Sequence, residues 1–235
     1  MSSSSRYYSD IKIDGDVIYL LGDIHAKVDW ASKLDALTPG PIIILGDVGF
    51  GFYTEADERL QDTFVKLQEK GWSVYLIRGN HDNPEYWHNI QRGCTMLPEN
   101  RVITINDKPF FISGGGTSVD RWQRLIGKSY WPSEYIYVPP YVLQEVDYVY
   151  GILSHVGPTP PKVAGNPIFL EYCKLHDSAL EADLEMENIQ LKRLACLKPK
   201  VWYYGHFHVN ETFEHEGIRC QAINIATLTS INFDL

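Results

Sequence analysis

Apolar residues in the first half of the chain come in short unbroken runs, separated by segments of helix-like spacing. Residues 17–21, 42–45 and 74–77 are three such runs, and each is long enough for a buried strand. Between the runs, apolar residues recur every three or four positions, which is the period of an amphipathic helix. Strands that alternate with helices in this way predict a parallel sheet of the α/β class.

The second half of the chain also carries strand-like runs, but they are spaced unevenly. These runs fall at residues 102–105, 110–112, 148–153 and 201–204. The first two are close enough to predict a hairpin. The longest helical pattern covers residues 179–197. Residues 157–167 are so rich in proline and glycine that we expect only a loop there, and one that walls the site because it directly follows His155.

The polar residues at the ends of the strand-like runs form a regular pattern. Five of the seven runs are followed, directly or after Arg78, by glycine or serine and then by a carboxylate, amide or imidazole side chain. The segments are GDIH (Asp23, His25), GDVG (Asp47), GNHD (Asn80, His81, Asp82), SH (His155) and GHFH (His206, His208). Because the carboxyl ends of parallel strands meet at one edge of a sheet, we expect these side chains to lie close together.

The chemistry of this set points to metal ions. Asp-x-His and His-x-His place both side chains on the same side of an extended segment, so both reach one centre. Carboxylate and amide oxygens mixed with imidazole nitrogens suit divalent ions such as Mn, Fe or Zn. Two such ions, held about 3.5–4 Å apart, clamp a phosphoryl group and activate a water. The pattern therefore predicts a site for divalent metal ions, and a pair of such ions would be able to support phosphoryl chemistry.

Composition and charge narrow the possible partners. The chain has 235 residues, of which 44% are apolar and 22% charged, so it is able to bury a large core. Its formal net charge is −9, and we expect no stable binding of duplex nucleic acid, which depends on basic patches. No run of about 18 apolar residues occurs, so we expect no membrane-spanning segment.

Two further expectations concern organisation and location. No internal repeat or linker interrupts the pattern, so we expect a single domain over residues 1–235, with a flexible tail at residues 1–10. The four cysteines form no CxxC pair, which indicates a reduced, cytoplasmic protein. A disulfide between two of them stays an open alternative, and so does an oligomeric state.

The order GDxH, GD, GNHD, SH, GHxH resembles the calcineurin-like metallophosphoesterase superfamily, over residues 17–225. The resemblance implies a four-layer α/β/β/α sandwich with a dinuclear metal site at the carboxyl ends of the central strands. It implies that the first ion is held by Asp23, His25 and His208, the second by Asn80, His155 and His206, with Asp47 bridging them. It further implies that His81 is not a ligand but lies beside the leaving group, where it donates a proton or stabilises charge. The cofactors would be two divalent ions, Mn first, with Fe, Zn, Ni or Mg as alternatives.

The chain departs from the protein Ser/Thr phosphatases of this superfamily at the second motif. Those enzymes have GDxxDRG, whereas Phe50 and Gly51 stand here in place of the second Asp and the Arg. Arg78 matches their pattern, and Arg121, after the glycine run at 114–116, is a second candidate for binding phosphate. The alternative for Arg121 is a surface ion pair. The residue that orients His81 is left open between Asp82 and Asp120.

The resemblance implies a phosphoesterase that hydrolyses phosphomonoesters or phosphodiesters by in-line attack of a metal-bridging hydroxide on a phosphate-ester substrate. A nuclease or nucleotide phosphodiesterase of the same fold is one alternative. A noncatalytic protein-interaction scaffold is another, which the complete ligand set argues against. The aromatic-rich segment at 122–141 favours packing over base stacking.

Overall fold

The computed structural model describes residues 6–88 and 91–233. Twelve strands of this part form two sheets. The strands are β1 Tyr8–Ile13, β2 Tyr19–Leu21, β3 Pro41–Ile44, β4 Ser73–Leu76, β5 Cys94–Met96, β6 Arg101–Ile105, β7 Lys108–Ser113, β8 Gly151–Ser154, β9 Val201–Tyr204, β10 Glu211–His215, β11 Ile218–Ala222 and β12 Leu228–Ser230. The α-helices are α1 Thr54–Glu69, α2 Val142–Glu145, α3 Pro161–Ala164, α4 Ile168–His176 and α5 Leu180–Ala195. Short 3-10 helices cover Asp29–Ala36, Tyr86–His88 and Arg121–Gln123.

The smaller sheet contains the three apolar runs of the first half. Its strand order is β12-β2-β3-β4-β5. Strands β2 to β5 are parallel, and β12 pairs antiparallel with β2. The predicted parallel pairing of the first three runs is confirmed, and their carboxyl ends therefore lie side by side.

The larger sheet has seven strands in the order β1-β6-β7-β8-β9-β11-β10. Its centre, β7, β8 and β9, is parallel, so β8 and β9 also end at one edge. The predicted hairpin is confirmed as β6 and β7, which are antiparallel. Asn106 and Asp107 at its turn both have positive φ, as a tight two-residue hairpin turn requires.

Three apolar cores separate four layers, which confirms the α/β/β/α sandwich. Consecutive residues of a strand point to opposite faces of the sheet. In β2, Leu20 therefore packs between the two sheets, whereas Leu21 packs on the outer face with α1. On the far side, Trp202 of β9 packs against α5 through Leu194. Within the described residues, no helix is both long and apolar enough to cross a bilayer.

Two sequence expectations about local structure are wrong. Part of the expected tail, from Tyr8 to Asp10, belongs to β1, which pairs in parallel with β6. The segment is held in place because Tyr7 and Ile13 bury their side chains in two of the cores. The expected loop at 157–167 contains α3, which begins at Pro161, a residue whose fixed φ suits the first turn of a helix. The single-domain organisation stays a prediction.

The aromatic-rich segment at 122–141 divides between core and surface. Trp131 is buried, and Ile136 and Val138 pack in the core beside α5. Tyr135 and Tyr137, on either side of Ile136, are half exposed. The expectation of packing therefore describes part of the segment only.

Candidate metal centre and active site

The side chains predicted from the strand ends converge where the two sheets meet. Asp23, Asp47 and Asn80 follow β2, β3 and β4 of the smaller sheet, while His155 and the pair His206 and His208 follow β8 and β9 of the larger one. Asp23, Asp47, Asn80 and His155 are buried. With His25, which also follows β2, the structure thus brings together seven side chains from five strand ends.

The first group contains Asp23, His25, Asp47 and His208. One ligand atom from each lies within 4.8 Å of every other. The Nε2 atoms of His25 and His208 are 3.2 Å apart, and His208 Nε2 is 3.1 Å from Asp23 Oδ2. These four residues are the ones expected around the first ion together with the bridging carboxylate.

The second group contains Asn80, His155 and His206 beside the other oxygen of Asp47. His155 Nδ1 donates to the carbonyl oxygen of Leu45 at 2.9 Å, so the neutral ring has its lone pair on Nε2. That Nε2 lies 2.8 Å from Asn80 Oδ1, 3.3 Å from Asp47 Oδ1 and 3.2 Å from His206 Nδ1. Asn80 Nδ2 donates to Ser118 Oγ at 2.9 Å, which turns Oδ1 toward the group.

This geometry fits a cation rather than a hydrogen-bond network. His155 Nε2, Asn80 Oδ1 and Asp47 Oδ1 are all acceptors, and acceptors in contact repel unless a positive charge lies between them. Ligand atoms about 2.1 Å from an ion and at right angles to each other are about 3 Å apart, which is the spacing found here. The two oxygens of Asp47 face the two groups, Oδ1 toward His155 and Oδ2 toward His25 at 3.7 Å. A bridging role for Asp47 fits that arrangement.

Burial sets the protonation of these groups. It lowers the pKa of His25 to about 4 and, with neighbouring His155, that of His206 to about 3, so both imidazoles keep a free lone pair. Burial together with the charges of Asp23 and Asp82 raises the pKa of Asp47 well above its ordinary value. Burial opposes ionisation of Asp23 too, but its hydrogen bond with His208 and the nearby imidazoles outweigh it and lower its pKa. A divalent cation would stabilise both carboxylates.

The backbone at the site is held in an uncommon conformation. His25, Asp47, His206 and His208 have φ of 45°, 47°, 64° and 53°. Positive φ is uncommon for residues with a side chain, and such residues cluster at functional sites. Four of the seven candidate ligands therefore have this conformation, as do seven other non-glycine residues of the described chain.

Glycine at the strand ends lets the two sheets approach each other. Gly46 lies against the imidazole of His155, and Gly205 lies against the carboxylate of Asp23. A β-carbon at either position would overlap the side chain from the opposite sheet. The glycines at these two strand ends are therefore explained by close packing against a candidate ligand.

His81 lies at the open side of the first group, where its Nε2 is 3.9 Å from Asp47 Oδ2. Its ring stacks on Phe52 with centroids 4.6 Å apart and meets His25 edge to face. Arg124 Nη2 donates to His81 Nε2 at 2.8 Å. Burial and then the charge of Arg124 lower the pKa of His81, so the ring is neutral, and its Nδ1 is buried without a hydrogen-bond partner among the described residues.

Arg124 is a residue that the sequence analysis missed. Besides His81, its guanidinium binds Asp120 Oδ1 at 2.6 Å and Ser118 Oγ at 2.9 Å. Ser118 also supports Asn80, so one hydroxyl links the arginine to the second ligand group. The spacing of Asp120 and Arg124, four residues apart with opposite charge, was the available signal.

Neither arginine chosen from the sequence lies in the cavity over the candidate metal centre. Arg78 is buried and donates to Glu99 through Nε at 2.5 Å and Nη2 at 3.2 Å. Arg121 pairs with Asp177 and Asp183 at 2.5 and 2.6 Å, the alternative that the sequence left open. Their guanidinium donors are taken up by carboxylates in this structure, so their role in binding phosphate stays a prediction.

The two carboxylates considered as partners of His81 also act elsewhere. Asp82 is fully buried and accepts backbone N–H groups of Gly79, Gly49 and Phe50 at 2.7–3.1 Å. It thereby joins the loops after β3 and β4. Asp120 reaches His81 only through Arg124, as described above. The side chain that hydrogen-bonds the His81 ring is an arginine rather than an aspartate.

The fold and the cluster define an α/β/β/α protein with a candidate metal-binding centre at the carboxyl ends of its central strands. The family model of the calcineurin-like phosphoesterases matches residues 17–210. The chain belongs to the calcineurin-like phosphoesterase family, which confirms the resemblance drawn from its motifs.

Two solved structures show similarity in fold to this chain. One is the phosphopantetheinyl hydrolase PptH from Mycobacterium tuberculosis, with 14% identity and a TM-score of 0.48, over 94% of this chain and 97% of that one. The other is a candidate 5'-nucleotidase from Staphylococcus aureus, in complex with alpha-ketoglutarate, with 12% identity and a TM-score of 0.45. It is matched over 89% of this chain and 48% of that one. No curated protein sequence matches the chain.

Proposed function

We propose that this protein is a dinuclear metal-dependent phosphoesterase that hydrolyses a phosphate ester by in-line displacement. The observation that carries the proposal is the convergence of two groups of candidate ligand atoms on the two oxygens of one buried aspartate, Asp47. Two bound divalent cations supply a nucleophilic water at neutral pH and neutralise phosphoryl charge. Mn²⁺ is the ion that we expect first, because the donors mix hard oxygens with imidazole nitrogens.

The chain's own residues bind, orient and assist. Asp23, His25 and His208 would hold one ion on one side of Asp47. Asn80, His155 and His206 would hold the second ion on the other side. His81 lies at the open side of the cluster, and because its ring is neutral it would stabilise charge on the departing oxygen of the ester rather than act as an imidazolium acid. Arg124 holds the His81 ring through Nε2 and so positions it. Phe52 supports the opposite ring face.

The proposal is tested by adding Mn²⁺ to metal-free protein and measuring both bound metal and hydrolysis. We expect about two ions per chain by elemental analysis. Aryl monoesters, aryl diesters, cyclic nucleotides and a phosphopeptide form the substrate panel. Hydrolysis of none of them, together with less than one bound ion, would contradict the proposal and favour the scaffold alternative.

A nuclease is the second candidate within this fold, and the local charges disfavour it. The cavity that opens over the cluster is lined by Asp120, Glu181 and Glu185 as well as by Arg124 and Lys174. A polynucleotide needs a basic track for its successive phosphates. Cleavage of a single-stranded oligonucleotide at a rate comparable to that of small esters would revive this candidate.

A further inference from the structure

The cavity over the candidate metal centre extends well beyond the space that a phosphoryl group needs. Its volume is about 710 Å³. Sites that enclose a whole small organic molecule have volumes of about 300–1,000 Å³. Its inner end is formed by the candidate metal ligands together with His81 and Arg124, and its outer part by α3, α4 and α5. The outer part therefore has room for the organic group of an ester.

The outer part is predominantly apolar. Its apolar side chains come from α3, α4, the inward face of α5 and the turn between them. They are Val163, Ala164, Phe169, Leu170, Leu184 and Leu191. Phe169 is 59% exposed, although it faces this cavity. Apolar surface left open beside a polar centre indicates a place where an apolar group binds.

The charges of the outer part disfavour an anionic group there. Glu181 and Glu185 of α5 line this wall. Among the described residues that line the outer part, Lys174 is the cation, and its ammonium group pairs with Glu181 at 2.9 Å. A second phosphate or a carboxylate on the substrate would face these carboxylates without a free positive partner.

We propose that the outer cavity binds the organic group of the phosphate ester, and that this group is uncharged and apolar, an alkyl chain or an aryl ring system. The inference rests on the proposed function, since that function places the phosphoryl group at the inner end. The alcohol that is released would therefore be lipophilic, rather than a nucleoside or an acidic peptide.

The test uses a series of n-alkyl phosphates from ethyl to octyl, as monoesters and as methyl diesters, with Mn²⁺ present. The alkanols released have nearly the same acidity, so the chemical step is held constant along the series. Each methylene that enters the cavity should raise kcat/KM about fourfold until the outer part is filled. An ester with a terminal carboxylate should react more slowly than its methyl-terminated equivalent.

Two neighbouring residues of α4 provide a matched pair of variants. Phe169→Ser removes an apolar side chain from the cavity wall, so it should reduce the octyl-to-ethyl ratio of kcat/KM. Ile168→Ser removes a side chain that is 74% exposed and does not line the cavity, so it should leave the ratio unchanged. Ala164→Trp, at an exposed position of the wall, should reduce the ratio by filling the space.

A binding measurement separates this inference from the proposed function. Alkylphosphonates, which are not hydrolysed, are titrated calorimetrically into the Mn²⁺-loaded protein. Affinity that rises with chain length, with a negative heat-capacity change, supports the inference even if no ester is hydrolysed. Hydrolysis or binding that is independent of chain length, or faster reaction of the carboxylated ester, overturns the inference and leaves the proposed function intact.

Discussion

Replacement of Arg124 with alanine tests whether this arginine acts through His81. In the wild-type chain the guanidinium joins His81, Asp120 and Ser118 with three contacts of 2.6–2.9 Å. A hydrogen bond that involves a charged group contributes about 1.5–3 kcal/mol. If that amount is lost only in the transition state, kcat/KM falls about 10- to 10²-fold. We expect most of the loss in kcat, and most of it for esters with poor leaving groups.

A double-mutant cycle provides the decisive measurement. His81→Ala alone should lower kcat about 10²–10³-fold on a poor leaving group, the range for removing one group that stabilises charge in the transition state. Because Arg124 positions His81, the double variant should be no slower than His81→Ala alone. Arg124→Lys keeps the charge but cannot hold three partners in one plane, so we expect only partial rescue.

The controls exclude a general loss of folding or of metal. Bound Mn²⁺ should be unchanged in Arg124→Ala, because the guanidinium contacts Asn80 only through Ser118. Arg92→Ala removes an arginine whose side chain is 58% exposed and should have wild-type kcat/KM. Additive losses in the double variant would refute a role through His81, and a wild-type rate in Arg124→Ala would refute any role in the reaction.

Three further predictions address the ligands, the glycines and a buried carboxyl group. Asp47→Asn should lose at least one bound ion by elemental analysis and nearly all activity, because its two oxygens face both groups. Gly205→Ala should weaken Mn²⁺ binding in a calorimetric titration, since the added β-carbon overlaps the Asp23 carboxylate. Burial raises the pKa of Glu187 to about 7, so the folded state binds its proton more tightly than the unfolded state, and stability should fall by on the order of 3 kcal/mol as pH rises from about 4.5 to 7. Urea unfolding of Glu187→Gln should show a smaller fall, and an identical pH profile in both proteins would contradict the assignment.

The candidate ligands could be predicted from the sequence because strand ends are local features. A buried parallel strand reads as an unbroken apolar run, and the residue that follows it is fixed at the edge of the sheet. Asp23, Asp47 and Asn80 each follow such a run within four residues. The topology then brings His155 and His206 to them from the other sheet. No knowledge of packing beyond strand order was needed.

The residues around His81 could not be predicted in the same way. Arg121 and Arg124 both follow the glycine run, and only the 3-10 turn at Arg121–Gln123 decides which of them faces His81. Similarly, Arg78 stands in the family motif, but Glu99 from the segment before β6 takes up its guanidinium. These outcomes depend on long-range contacts, which a local pattern does not contain.

The hairpin of β10 and β11 was not predicted, although the sequence contained a signal for it. Burial alternates along both strands, and Glu216 and Gly217 between them have φ of 51° and 78°, as a two-residue hairpin turn requires. The polar outer residues of this hairpin lowered its apparent hydrophobicity. Alternation is the appropriate criterion for an edge hairpin that has one face in water.

The strained backbone of the candidate centre implies that the surrounding loops, rather than the ions alone, hold its geometry. Four residues with positive φ cost on the order of 1 kcal/mol each, and such strain persists only where neighbouring contacts determine the conformation. Asp82 supplies such contacts by accepting backbone N–H groups from two loops, and Asp23 supplies others by accepting the N–H of His206. Burial raises the pKa of Asp82 to about 6, and its backbone donors oppose that shift by favouring the carboxylate. The same hydrogen bonds that stabilise a buried carboxylate therefore fix the conformation of the loops, so that the fold itself holds the candidate ligands in place.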